Sequence, residues 1–417
     1  MNPQDAVKRI VEIVDEQERW RGSETINLIA SENVMSPLAR RVFDSDFMHR
    51  YAEGTVGHRM YEGTGLVDVA EQTCIDLLKA LSGAEYSDVR PISGAVANLA
   101  VFYAFAKPGD SVMSLNVMSG AHISYREFGS AGCRGLNITD IPFDKDEMNI
   151  DVARFSEVAR KVKPKIITLG GSLFLFPSPV KEVRKIADEI GALVHYDGAH
   201  VFGLILGGRF QNPLAEEAHI FSASTHKTLP GPQGGVVLTN DETMFKALEK
   251  AIYPGLVSNH HLHRLPSLAI TLAEMMAFGK EYAEQIVRNA KALGKALHGH
   301  GFKVLCAHRG FTESHQIAVD VAAYDGGDKV SKTLAAANII SNKNLLPLDD
   351  LKNVDNPSGI RLGTQEVTRR GMKEKDMQTI AEFIKRLVVD EEDPEKIKRE
   401  VTRFRRGFPD IIYCFKL

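Results

Sequence analysis

Between about residues 85 and 240 the chain alternates between two spacings of apolar positions. Short β-rich runs, SVMSL (111–115), KIITLGG (165–171), ALVHYD (192–197), HIFSAS (219–224) and GVVLT (235–239), read as strands. Between them lie amphipathic helical segments, of which Val180–Ile190 is an example. That alternation predicts an α/β layer domain, a largely parallel sheet covered by helices on both faces. After Pro266 the pattern changes: SLAITLAEMMAFGKEYAEQIVRNAKALGKALHGHG is one long helix closed by glycine, too long for a simple crossover, and it reads as a connector to a second unit. Shorter strands (FKVLCA, HQIAVDV, GIRLGT) and helices (Lys329–Ala337, Lys373–Val388) follow, a smaller α+β unit. The expected division is an N-terminal helical segment over 1–40, a large α/β domain over 41–275 and a small domain over 276–417.

Composition narrows the class. A chain of 417 residues exceeds the size at which one core keeps growing, so two domains are expected, and 44% apolar with 25% charged residues is ordinary for a globular protein. The formal net charge of -3, with its cations dispersed, offers no footprint for nucleic acid and points to small-molecule chemistry. Cys74, Cys133, Cys306 and Cys414 lie far apart, without the spacing of a zinc site or a disulfide framework. The N-terminal segment has apolar residues at helical spacing (Ala6, Ile10, Ile13, Val14) among many acids, unlike a signal peptide, and no run approaches a membrane span. A cytoplasmic protein is expected.

Candidate chemistry begins with SASTHKTLPGPQGG, where Lys227 is hemmed in by Ser224, Thr225 and His226 after the apolar run Ala218–Phe221. A solvated ammonium needs no such setting; a reactive amine does. Asp197 ends the run ALVHYD and His200 follows it, at the carboxyl end of a strand where ligands of parallel sheets gather. Alone, Asp197 reads equally as a turn cap. With one strand between them, Asp197 and Lys227 can reach the same sheet edge, and an acid for a ring nitrogen plus an imine-forming lysine are what pyridoxal phosphate asks of a protein. Ser93, Gly94 and Ala95 lead into an apolar helix and could cup a phosphate, or merely cap the helix. His122 lies in a polar loop, and could lie flat on an aromatic ring or be no more than a loop residue. Arg361, inside the apolar run GIRLGT, calls for an anion: a substrate carboxylate or an internal acid.

Six ordered stretches, NLIASENVMSP, HRYAEGTVGHRMYEG, YDGAHVFGLI, STHKTLPGPQGG, SNKNLLP and SGIRLGTQEVTRRGMKEKD, together resemble serine hydroxymethyltransferase from about residue 20 to 390. The resemblance implies fold type I of the pyridoxal phosphate enzymes, a homodimer with shared active sites, and interconversion of serine and glycine with a reduced pterin taking the one-carbon unit. It makes Lys227 the cofactor-linked lysine, Asp197 the partner of the pyridine nitrogen, His122 the ring-stacking group and His200 a partner on the phenolate side, with Thr225 and His226 flanking. Ser93, Gly94, Ala95 and Ser224 would hold the phosphate, joined by Gly255, and Ser31 and Arg361 the substrate carboxylate. Tyr51, Glu53 and Tyr61 would come from the neighbouring subunit, Glu53 handling protons, and Asn344 would touch the pterin.

The chain departs from the usual pattern at Ala95, Pro230 and Gln233, and YPGLVSNHHLH (253–263) replaces a glycine-rich loop. In the resemblance that loop reaches the neighbour's phosphate, and His260, His261 and His263 are expected to supply the donors so lost; without an acid or cysteine they make no metal site. These features resemble the archaeal branch, so tetrahydromethanopterin stands beside tetrahydrofolate as carrier. Two other readings remain: a pterin-independent aldolase for 3-hydroxy amino acids such as threonine or α-methylserine, and a non-catalytic binding protein on the same fold.

Overall fold

The computed structural model describes residues 2–416. Seven strands form the central sheet: β1 (Tyr86–Asp88), β2 (Ser111–Ser114), β3 (Asn137–Asp140), β4 (Ile166–Gly170), β5 (Leu193–Asp197), β6 (Ile220–Ser224) and β7 (Gly235–Thr239), in the spatial order β1-β7-β6-β5-β4-β2-β3. Pairing is parallel from β6 through β3, whereas β7 runs antiparallel to both β6 and β1. The exception has a local cause. Residues 225–234 join β6 to β7 directly, and a parallel return needs a crossover of a dozen residues or more. That connection carries Lys227. β4, β6 and β7 are buried along their whole length, as expected of strands covered on both faces.

Register then sets the site edge. Asp197 pairs with Gly170 on one side and Ser222 on the other. Gly170 has φ +90°, and a Cβ there would lie 2.0 Å from the Asp197 carbonyl oxygen, so only glycine permits this approach. The helix Gly94–Phe105 packs against β6 and β7, its N-terminus at the same edge.

The long connector is a single helix, Arg264–Gly299, and position 275 lies inside it. Its first part, through Ile286, packs in the core of the central sheet; Leu293 and Leu297 belong to a second core with Ile317, Val319, Ile360 and Leu362. Ile26 and Leu28 join that second core, where Ile26–Asn27 pairs in parallel with Ile339–Ile340. The four-stranded antiparallel sheet of this second unit orders its strands as Lys303–Val304, Gln316–Asp320, Gly359–Gly363 and Asn342–Asn344. A third small cluster, including Leu173, Leu175, Phe176, Ala318 and Leu346, welds the two units beside the site. The N-terminal helix Pro3–Arg19 differs: it buries no residue, and Val7, Ile10, Val11, Ile13 and Val14 are exposed.

Candidate active site

A cavity of about 570 Å³ opens where the strand ends meet the second unit, and Ser31, Ser93, Gly94, Ala95, His122, Asp197, His200, Ser224, His226, Lys227, Asn344 and Arg361 all line it. Sequence separations of up to 330 residues therefore close onto one space (361 minus 31). Lys227 is 8% exposed, and burial pulls its amine down to about 8, against the opposing pull of Asp197 and helped by Arg361. Its main-chain carbonyl accepts from Asn33 Nδ2 at 2.6 Å, which ties the lysine loop to the N-terminal segment. Between about 8 and 10.5 the amine is thus largely neutral where an ordinary lysine is charged.

Asp197 is held by three donors: Asn98 Nδ2 at 2.7 Å, the Ala199 N–H at 2.8 Å and the Tyr125 hydroxyl. All three aim hydrogens at its oxygens, so the side chain meets them as an acceptor. Burial keeps both neighbouring histidines below the ordinary range, His122 against the pull of Asp197 and His200 with added push from Lys227 and Arg361. His200 Nδ1 faces Gln316 Nε2 at 2.8 Å, and Gln316 Oε1 accepts the Phe174 N–H at 2.8 Å, which orients that amide as donor. His200 is accordingly neutral, with its proton on Nε2.

Arg361 decides the charge balance. It is 7% exposed, donates to the Ser172 carbonyl and to Asn342 Oδ1 at 3.4 Å, and among the described residues it meets no acid and its Nε has no partner. Burial pulls even this guanidinium down to about 10. Of the two expectations for its partner, the internal acid is not found, and a buried cation with an unsatisfied donor beside a cavity calls for an anionic ligand.

At the other wall, Ser93 caps the helix Gly94–Phe105 by accepting the Val96 N–H at 3.1 Å, and its own hydroxyl proton remains free to point outward. A Cβ on Gly94 would meet Ser224 Oγ at 2.3 Å, so glycine here keeps the helix start pressed against β6. First-turn amides, two hydroxyls and the His226 Nδ1, which is buried without a partner, make an anion cradle at this end.

Five expected residues are not in this cavity. Thr225 is fully buried and its hydroxyl donates to the Pro232 carbonyl at 2.6 Å, a role in holding the lysine loop. Gly255 sits in the turn Ala251–Leu256 against Tyr103. Tyr51 and Tyr61 are 55% and 46% exposed, touch edge to face, and line a separate cavity of about 470 Å³. Glu53 accepts from the Ser258 hydroxyl. The histidines of 260–263 have partners within this chain: His260 Nε2 bonds buried Glu71 at 2.9 Å, and His263 stands edge-on to Phe43 and stacked with His261. Sequence reading also missed Asn98, Tyr125, Ser172 and Gln316. Asn98 had a signal, an amide inside an apolar helix; the others sit in stretches where a polar residue is unremarked.

A family model described as serine hydroxymethyltransferase matches residues 4–384. The chain belongs to the serine hydroxymethyltransferase family. Among archaeal relatives bearing that name, the protein of Methanocella arvoryzae is 53% identical over 416 residues, 100% of this chain and 97% of that protein. That of Methanocaldococcus jannaschii is 51% identical over 419 residues, 100% of this chain and 97% of that one. A crystal structure of L-threonine transaldolase from Pseudomonas fluorescens, in internal aldimine state, superposes with a TM-score of 0.90 at 30% identity, over 99% of this chain and 94% of that one. The chain is therefore a fold type I enzyme dependent on pyridoxal phosphate. Its cavity fits that group: a buried amine of lowered basicity, a carboxylate fixed by three donors, and an anion cradle with an unpartnered imidazole nitrogen. Among the described residues no helix is long and apolar enough to cross a membrane, and no cluster of three or more His, Cys, Asp or Glu could hold a metal.

Proposed function

We propose that this serine hydroxymethyltransferase interconverts serine and glycine by passing the hydroxymethyl carbon to a reduced pterin, at a site completed by a second copy of the chain. The observation that carries the substrate assignment is Arg361, a buried cation without an acid, facing the same space as Lys227. Pyridoxal phosphate, when bound, supplies the electron sink that makes bonds at an amino acid's α-carbon breakable. Lys227 would link to it, Asp197 would keep its ring nitrogen protonated, and Ser93, Gly94, Ala95 and Ser224 would hold its phosphate. Arg361 and Ser31 would grip the substrate carboxylate with planar, charge-assisted bonds. His122 and His200, both neutral, would pack on and donate to the ring without adding charge. Asn344, at the cavity mouth, would meet the pterin.

Two features support a second copy. Tyr51, Glu53 and Tyr61 lie outside the cavity of their own chain, and the helix Pro3–Arg19 leaves its apolar face uncovered, which a second copy would bury. Glu53 would then move protons in the partner's site. A cytoplasmic location accords with four free cysteines.

The deciding experiment is serine cleavage with the loaded enzyme, with and without tetrahydrofolate and tetrahydromethanopterin, alongside the mass of the assembly by light scattering. Strong acceleration by one pterin supports the transferase. Indifference to both, with cleavage of threonine or α-methylserine, would replace it by the aldolase; a protein that takes no cofactor would leave only a binding role.

A further inference from the structure

Two buried polar groups have no place in the chemistry so far. The apolar helix Gly94–Phe105 carries Asn98, 1% exposed, and β5 carries His195, with no exposure. They belong to one chain of hydrogen bonds whose direction can be worked out. Asp197, as a carboxylate, only accepts, so the Asn98 nitrogen must face it (2.7 Å) and Asn98 Oδ1 must face Ser222. The Ser222 hydroxyl gives its proton to that oxygen at 2.7 Å. Its own oxygen is left to accept from His195 Nε2 at 2.8 Å, and His195 Nδ1 then accepts from the Thr168 hydroxyl at 3.3 Å.

The second amide hydrogen of Asn98 goes to Ser124 Oγ at 3.0 Å. This leaves the Ser124 proton for His122 Nδ1 at 2.8 Å, which the Ser124 N–H also reaches at 3.2 Å. A nitrogen receiving two donors is bare. We propose that Asn98 is a positioning residue for two groups at once: it orients the Asp197 carboxyl by a donated bond and, through Ser124, fixes the His122 tautomer with its proton on Nε2. Thr168, His195 and Ser222 orient the amide from inside the sheet, each bond polarising the next. The charged groups facing His122 are Asp197, Lys227 and Arg361, with the Tyr125 phenol beside it. The inference rests on the assignment of Asp197 and His122 to the cofactor.

Asn98→Ala in the loaded enzyme is expected to lower kcat for serine about 10- to 100-fold, as loss of a supporting bond commonly does, with KM for serine within about threefold because Arg361 is untouched. The pH titration of the cofactor's visible absorbance should shift. In cofactor-free protein labelled with ¹⁵N-histidine, the bare Nδ1 signal of His122 should collapse toward a mixture of tautomers. Ser124→Ala should reproduce the histidine change and leave the absorbance titration in place. Wild-type kcat, titration and tautomer in Asn98→Ala would overturn the proposal, as would a joint fall of kcat and melting temperature with the His122 signal unmoved. If Asn98→Ala does not fold, Ser124→Ala decides: an unchanged His122 signal refutes the relay. A wild-type enzyme unable to turn over serine would instead refute the functional reading, while the tautomer measurement still judges Asn98.

Discussion

The cavity at the strand ends and the segment 47–64 are built on opposite plans. In the cavity, strand register and burial fix the central groups: Asp197 is pinned between Gly170 and Ser222, and Lys227 and Arg361 are nearly inaccessible. In the segment, Met48, Tyr51, Met60 and Tyr61 are exposed, and order comes from clips. Asn259 spans it, accepting the Ala52 N–H at 3.0 Å and donating to the Arg50 carbonyl at 3.0 Å, while Arg59, with its side chain only 2% exposed, pairs with Asp68 and Glu71 and donates to the carbonyls of Ala52 and Gly54. Burial makes the first region chemically unusual, because desolvation shifts its amine and imidazoles. The second is held in shape by hydrogen bonds and ion pairs at its base. One region gathers buried groups around a cavity; the other presents exposed rings on a clipped loop.

The comparison breaks first at Lys227. Lys227→Ala should cut serine turnover by about a thousandfold or more and abolish the covalent cofactor spectrum, since no other lysine lines the cavity except Lys343, which is paired with Asp328. Retained turnover would show that the amine is not the reacting group. Arg361→Ala comes next. Removing a desolvated charge partner costs about 2–5 kcal/mol, so kcat/KM for serine should fall by roughly 30- to several-thousandfold, with cofactor affinity little changed. Steady-state kinetics with serine checks it, and an unaltered KM would send the search for the carboxylate's partner elsewhere.

A smaller effect separates the two regions. Lys227→Ala chains and Glu53→Ala chains, each inactive alone, should on unfolding and refolding together recover about a quarter of wild-type activity, one intact site in each mixed dimer. No recovery would mean that both residues serve a site within one chain, and the proposed sharing would fail.

The two regions were also unequally legible. Strand ends were readable because the runs before Asp197 and Lys227 alternate so regularly with helices, and the observed strands 111–114, 166–170, 193–197, 220–224 and 235–239 start or stop within a residue of the apolar runs. The reversal of β7 was not read, though the shortness of 225–234 was there to see. β1 and β3 escaped because three and four residues of mixed polarity carry little periodicity. Cavity residues could be nominated one at a time, while the bonds from Asn98, Tyr125 and Gln316 could not, since contact across 72 to 116 positions is a product of packing. In the loop 253–263 nothing in the composition signalled that His260 is buried against Glu71, an acid that also pairs with Arg59.

The smallest expected effect is also the one that tests whether the cavity is chemically self-sufficient. Burial first, and Arg361 last, hold the Lys227 amine near 8, against a usual 10.5, so in the cofactor-free enzyme its nucleophilic form grows as pH rises toward 8 and is complete above it. The rate of cofactor capture, followed by stopped-flow absorbance between pH 6 and 9.5, should climb about tenfold per unit at the acid end and level off beyond 8. Stability moves in the same direction. Between 8 and 10.5 the unfolded chain holds a proton on this lysine that the folded chain has lost, so the cofactor-free protein gains stability as pH rises through that window. In protein diluted to single chains, Glu53→Ala should leave both curves in place, because that carboxylate stands outside the cavity of its own chain. A midpoint moved by Glu53→Ala would mean that the clipped segment already shapes the lysine's surroundings, and the two regions would have to be treated as one.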